Sequence, residues 1–392
     1  MERTPAVAIA GAGIGGLTAA LLLARAGFQV DLFERQPALT EAGAGIQLTP
    51  NAARVLDSLG LGKAIAARAS TPRALIVRSG RSGRRIATMP LGENFERGFG
   101  LPYRTIHRGD LQRILAEAAV AEAAIDLHLG ATIAGFASHA RGLTAIVETG
   151  GRDREIGPDA LIGADGVGSD LRALIPGAAE RRPSLRTAWR TLIPATDLPS
   201  GVPLDIVGLW LGSAGHVVHY PIRSGETLNV VAVIRDEPKP GRSDAEVLWR
   251  RIGHWAKPIL ALLAAATDWQ AWPISTVDPR GPWTDGRFAL LGDAAHAMSP
   301  FIAQGGAMAI EDAAVLARRL AAQRHDPAAA LAAYEAERRP RVRRVWRTAE
   351  TTADLYHMGL LTSAVRNAGM RFLGGRALLN RYGWIYRWTP GG

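Results

Sequence analysis

Cysteine is absent from all 392 residues. Disulfides, thiolate metal centres, iron–sulfur clusters and dithiol redox couples are therefore excluded, and any redox chemistry has to come from a bound cofactor. Lysine is scarce, confined to Lys63, Lys239 and Lys257. No apolar run can span a bilayer, the run LTAALLLARAG being far too short, and MERTPAVAIAG lacks the charged n-region of a signal peptide. The expectation is a soluble cytoplasmic protein with no membrane partner and no metal site. Internal repeats and low-complexity linkers are also missing, so separate lobes would be interleaved along the chain.

What is present is a large apolar fraction, 47%, together with 44 glycines, enough for a sizeable core divided into two or three lobes. The formal charge of +10 is concentrated at one end. From Arg318 onward there are 14 Arg, no Lys and five acids, a balance of +9. Most of these arginines fall in helical patterns such as AYEAERRPRVRRVWRTAE, where Glu335 can reach Arg338 and Arg339 one turn on. A solvated face, with a weak pull on anionic ligands and no nucleic-acid partner, is the expected reading.

The first 35 residues read as one βαβ unit: strand AVAIA, a helix ending at Gly27, and strand QVDLFE ending at Glu34. The loop AGAGIQLTP leads to a helix over NAARVLDSLG. Short strands and turns are expected from Ala74 to Leu101, a helix over RGDLQRILAEAA, strands to about Gly163, a strand-rich stretch from Arg182 to Trp283, and helices after Gly305. The fold class is α/β, with a Rossmann-type domain (1–73, 102–181 and 284–350) interleaved with a β-sheet domain (74–101 and 182–283) and followed by a C-terminal helical segment (351–392).

Between the first strand and its helix stands Gly11-Ala12-Gly13-Ile14-Gly15-Gly16. Gly11 permits a tight turn, Gly13 lets a pyrophosphate approach the backbone, and Gly16 lets helix and strand pack closely. Helix N-terminal N–H groups then meet the phosphates. Glu34 is positioned to accept both hydroxyls of a ribose, with Arg35 beside it, which selects FAD or NAD over a 2′-phosphorylated dinucleotide. A second turn lies far away, in FALLGDAAHAMSPFIAQGGAMAIEDAA from Phe288. Asp293 ends a strand there and Gly305, Gly306 and Ala307 open a helix. A long cofactor, FAD, explains why two remote turns are needed, and the helix dipole, about half a charge, would favour a reduced flavin.

These residues resemble the class A FAD-dependent aromatic hydroxylases, in particular the salicylate hydroxylase, 3-hydroxybenzoate 6-hydroxylase and 6-hydroxynicotinate 3-monooxygenase branch. GAGIGG, DGVGSDLR from Asp165 to Arg172 and GDAAHAMSPFIAQGG from Gly292 carry the likeness in the same order. The resemblance implies bound FAD, transient NADH or NADPH, O2 and a small aromatic substrate that is hydroxylated through a flavin C4a-hydroperoxide, in a monomer or homodimer. It places Asp165, Arg172, Arg108, Gly45, Ile46 and Leu129 at the cofactor. Two departures stand out: Ala303 at a bend often held by glycine, and Ala307 where asparagine is common. His296 is expected to be structural.

A phenol attacks electrophilic oxygen poorly until its proton leaves, so a general base is expected. On the strand HVVHY, alternation puts His216, Val218 and Tyr220 on one face and His219 on the other. The resemblance points to His216 as base and Tyr220 as its partner, with Gln304, Pro300 and Arg190 at the substrate. A flavin epoxidase acting on an alkene, and an FAD-bound regulatory module docking through the basic helices, remain alternatives. No second G-x-G-x-x-G exists, so the nicotinamide has no Rossmann unit of its own.

Overall fold

In the computed structural model, which describes residues 4–39, 44–139, 142–213, 215–236 and 246–391, the opening βαβ unit is strand Ala6–Ala10, helix Ile14–Arg25 and strand Gln29–Glu34. AVAIA is apolar throughout because a central parallel strand is covered on both faces. Its sheet has six strands in the order 284–285, 288–290, 160–163, 6–10, 29–34 and 125–129. Every pairing is parallel except that of the short edge strand 284–285. The chain moves to one side of Ala6–Ala10 at once and returns to the other side only at residue 160, so this strand's carboxyl end opens at a topological switch point.

A second, seven-stranded sheet runs in the order 270–277, 181–194, 227–235, 215–222, 206–211, 74–79 and 85–90. The parallel pairing of 74–79 with 206–211 joins two stretches of chain distant in sequence. Arg190, Val231, Val218 and Leu209 are in register across four strands and so share one face. The opposite face buries Trp189, Trp210, Val217 and Val230 beneath helices Glu246–Ile252 and Lys257–Ala264.

Those two helices lie in a stretch expected to be strand-rich, and Glu93–Phe99 is a helix where strands and turns were expected. All three are eight residues or shorter, too few for a clear 3.6-residue period, and tertiary packing sets them. At the other end, helix Pro327–Tyr356 runs without interruption through residue 350, where a segment boundary was expected. The helix element Leu360–Asn380 then crosses the edge strand 85–90, and Gly375 is so close that a Cβ there would sit 1.6 Å from the Thr88 carbonyl oxygen. Among the described residues no helix is long and apolar enough to cross a membrane.

Candidate active site

The glycine loop after Ala6–Ala10 borders a cavity of about 390 Å³ at the switch point. Gly11 has φ +104°, and a Cβ on it would lie 2.5 Å from the Ala164 carbonyl oxygen. A Cβ on Gly16 would lie 1.9 Å from the Gly11 carbonyl oxygen, so Gly16 closes the turn by packing and does not line the cavity. Gly13 caps the helix without a side chain, which leaves first-turn N–H groups facing outward near Gly13 and Gly15, both of which line the cavity. Glu34 is held by the backbone: its Oε2 accepts from Ala12 N at 2.9 Å and its Oε1 from Gln36 N at 3.0 Å. Each oxygen keeps lone-pair capacity for a ligand hydroxyl.

Arg35, Ile46, Arg108, Asp165, Asp293, Gly305 and Gly306 also border this cavity. Burial raises the Asp165 carboxyl above its ordinary pKa, and its Oδ1 is buried with no partner among the described residues. A hydroxyl-rich ligand would supply the missing donor. Gly305 and Gly306 begin helix Gly305–Ala322, whose N-cap Gln304 supplies no side-chain cap, so a second set of N–H groups is available. Two helix N-termini, the Glu34 carboxylate and the orphaned Asp165 oxygen around one cavity fit a dinucleotide with phosphates, ribose and ribityl hydroxyls.

Besides Gly16, four residues expected at the cofactor are not among those that line this cavity. Arg172 stands behind the cavity, donating to the carbonyls of Ala294 at 3.0 Å and Val167 at 3.1 Å, and so ties the 165–172 loop to the turn after Asp293. Leu129, 41% exposed, pairs with Glu34 on the outer strand. Ala307 is buried in the first turn of its helix. Gly45 is gripped from the other sheet: its N–H donates to Asn229 Oδ1 at 2.7 Å and its carbonyl accepts from Tyr220 Oη at 2.7 Å. A Cβ on Gly45 would lie 2.5 Å from Tyr220 Cε2, so only glycine allows this approach. Residues 42 and 43 of the preceding loop lie outside the described residues.

A smaller cavity, about 90 Å³, lies between the seven-stranded sheet, the turn Pro300–Ala303 and the C-terminal helices. It shares walls with the first: Ile46 and Gly305 border one, while Gln47 and Ala303, one and two residues away, border the other. Ala303 holds the turn with φ +52°, a left-handed conformation uncommon for a residue with a Cβ. His216 and Val218 project from the sheet, and Tyr103, Tyr356 and Tyr386 face them. Among the described residues, no Asp, Glu, Lys or Arg lines this space. Burial raises the phenols of Tyr103, Tyr356 and Tyr386, keeping them neutral. Burial, then His357 and Arg186, holds His216 well below the ordinary histidine range.

Of the expected substrate contacts, Pro300 lines this cavity and three others do not. Tyr220 shares the His216 face, but its hydroxyl is committed to Gly45. Gln304 is 1% exposed and spends its amide on Thr49 Oγ1 and Asn51, each at 3.1 Å. Arg190 lies over the Trp272 ring, 5.4 Å from its centroid. His219 points to the far face as alternation requires, accepting from Trp210 Nε1 at 3.2 Å, and burial pulls its pKa down to about 4.

Beneath both cavities runs a buried polar network that no sequence motif announced. His296 Nε2 donates to Asp312 at 2.5 Å, a structural role as expected, and Gly292 N donates to the same oxygen at 3.1 Å. Arg338 joins Asp312 to Glu311 through two 2.7 Å bonds, and Glu311 also takes Arg341 and Asn51. The Gly292-Asp293 turn, helix Gly305–Ala322, helix Pro327–Tyr356 and helix Pro50–Ser58 are thus joined through side chains. Gln112, also missed, lines the first cavity and donates to the Ala12 carbonyl at 3.0 Å.

The chain is 35% identical to 3-hydroxybenzoate 6-hydroxylase 1 of Aquipseudomonas alcaligenes over 98% of its own length and 97% of the relative's. It is 35% identical to 6-hydroxynicotinate 3-monooxygenase of Bordetella bronchiseptica, covering 88% of this chain and 91% of that protein. Among solved structures, HpxO of Klebsiella pneumoniae in complex with FAD and uric acid superposes with a TM-score of 0.88 at 27% identity, covering 99% of this chain and 98% of that one. A salicylate hydroxylase substrate complex, at 24% identity and a TM-score of 0.82 over 99% and 96% of the two chains, shares the fold. The FAD binding domain family matches residues 4–349, and the chain belongs to that family as a flavoprotein aromatic monooxygenase with FAD as its cofactor.

Proposed function

We propose that the protein inserts one oxygen atom from O2 into a small hydroxylated aromatic ring, a phenolic or hydroxy-heteroaromatic acid, at the expense of NADH or NADPH. The observation that carries this reading is the shared wall between the two cavities. Strand Gly45–Leu48 and the segment 300–306 contribute lining residues to both the site that fits a dinucleotide and the small aromatic-lined one. Relatives whose names specify 3-hydroxybenzoate and 6-hydroxynicotinate support the ring chemistry.

Bound in the larger cavity, FAD would supply the transfer of reducing equivalents and the activation of O2. Gly13, Gly15 and Glu34 would hold its phosphate and ribose end, and Asp293, Gly305 and Gly306 the remainder. The protein's own work in the smaller cavity is to seat the ring, exclude water and manage its hydroxyl. Leu75, Leu209, Val218 and Phe301 supply apolar walls. The neutral tyrosines offer hydrogen-bond donors to substrate oxygens, a carboxylate included, and His216 is the titratable nitrogen that meets the ring hydroxyl.

The test is a screen of hydroxybenzoates, salicylate and hydroxypyridine carboxylates with NADH and with NADPH, reading nicotinamide oxidation and product mass together. Products one oxygen heavier than a phenolic acid support the reading. Turnover of alkenes but no phenol would replace it with an epoxidase, and FAD-loaded protein that oxidises no nicotinamide with any of them would leave a binding module.

A further inference from the structure

His216 does not meet the cavity alone. Its Nδ1 lies 3.1 Å from Nε2 of His357, the residue that ends helix Pro327–Tyr356. Their ring centroids are 5.3 Å apart, and the Phe301 ring lies within 5.3 Å of both. The two histidines are 4% and 3% exposed. At this separation one nitrogen carries a proton and the other accepts it.

Only two neutral arrangements exist. If His216 donated from Nδ1, His357 would accept at Nε2 and carry its own proton at Nδ1. That Nδ1 is buried and has no partner among the described residues, so the proton would be an orphaned donor. If His357 donates from Nε2, the same Nδ1 holds only a bare lone pair, and an unmatched buried acceptor is better tolerated than an unmatched N–H.

Both rings are also kept neutral. Burial, then Arg186, Arg235 and Arg366, pulls His357 down to about 3. The carboxylate of Asp354 pairs with Arg186 at 3.3 Å, and Arg366 donates to the carbonyls of Leu355 and Tyr356. The remaining groups packed against the pair are the Phe301 and Tyr356 rings.

We propose that His357 is a positioning residue: by donating to His216 Nδ1 it fixes the tautomer in which His216 presents Nε2–H to the cavity, so that the site selects a ring oxygen already ionised. This rests on the phenol-hydroxylating reading above. The base role expected for His216 needs the opposite tautomer, with a lone pair at Nε2. With the proton at Nε2, His216 donates to a phenolate. Phenols that ionise readily are then the preferred class.

The experiment uses FAD-loaded protein labelled with 15N-histidine, with His216→Gln to assign the His216 signals. In the wild type, His216 should be protonated at Nε2. His357→Gln, whose amide still donates, should retain that tautomer, and His357→Leu should lose it. In parallel, kcat/KM is followed across pH for phenols of different acidity. The wild type and the Gln variant should show inflections that track each phenol's own pKa. The Leu variant, in which a neutral phenol can donate to Nε2, should show a flattened dependence at unchanged FAD content. Nδ1 protonation in the wild type, or a Leu variant matching it in both readouts, overturns the proposal. If no phenol is turned over at all, the functional reading fails while the tautomer measurement still decides what His357 does.

Discussion

Replacing Arg338 by methionine removes the centre of the network under the active site. Arg338 is 1% exposed, its Nε donates to Asp312 Oδ1 and its Nη1 to Glu311 Oε2, and both acids are fully buried. Breaking a buried ion pair by deleting one partner costs about 3–5 kcal/mol, because the remaining charge loses its compensation. Here Asp312 keeps His296 and Glu311 keeps Arg341, which places the expected loss near the lower end, about 3 kcal/mol. The assay is equilibrium unfolding of FAD-loaded protein in urea across pH.

The acid dependence adds a second readout. Burial pushes the Asp312 carboxyl up, but His296 and Arg338 outweigh it and hold the folded-state pKa below the ordinary value. That depression contributes stability above the unfolded pKa, which is about 3.9, and the contribution is lost as pH falls through the folded value. Without Arg338 the carboxyl rises toward its ordinary range or beyond, so the gap between wild type and variant should narrow as pH drops below about 4. A variant within about 0.5 kcal/mol of wild type at neutral pH, with the same acid profile, would refute the network's role.

Gly45→Ala forces a Cβ into the Tyr220 ring, and the resulting displacement of strand Gly45–Leu48 should weaken FAD binding, measured by flavin fluorescence, far more than Tyr220→Phe, which removes one hydrogen bond worth about 0.5–1.5 kcal/mol. Asp293→Ala should weaken FAD retention through gel filtration while leaving the fold intact by circular dichroism, since the side chain borders the cofactor cavity. Arg343, Arg344, Arg347 and Arg381 border a groove beside Trp384, outside the ion pairs that engage Arg318, Arg319, Arg338, Arg339 and Arg341. A solvated face predicts no sequence-selective DNA or RNA retardation in gel shifts at about 150 mM salt, where screening removes most non-specific attraction.

The dinucleotide half of the site was legible because its chemistry is local. Gly11, Gly13 and Gly16 join one strand to one helix; Gly11 and Gly16 answer to close contacts with Ala164 and with Gly11 itself, and Gly13 caps the helix. Alternation likewise separated His216 from His219. What alternation cannot tell is reach: Tyr220 lies on the correct face, yet its hydroxyl stops at the Gly45 carbonyl because glycine lets the two segments meet. The partners of Gln304 were hidden for a similar reason, since Thr49 and Asn51 are more than 250 residues away. Asn229 and His357, 184 and 141 residues from their partners, carry no motif. The tyrosines at 356, 382 and 386 sit in an aromatic-rich tail, but only the docking of helix Leu360–Asn380 on the edge strand turns that composition into a cavity wall.

Under the proposed function, FAD in this chain places an oxygen atom from O2 on a phenolic ring. Single-batch turnover under 18O2, with a phenolic acid selected by the substrate screen and mass analysis of the product, addresses it directly. Product should carry one 18O atom, formed only by FAD-loaded protein and in proportion to the nicotinamide oxidised less the peroxide released. Product oxygen derived from water, or nicotinamide oxidation that yields peroxide alone with every phenolic acid, would contradict it.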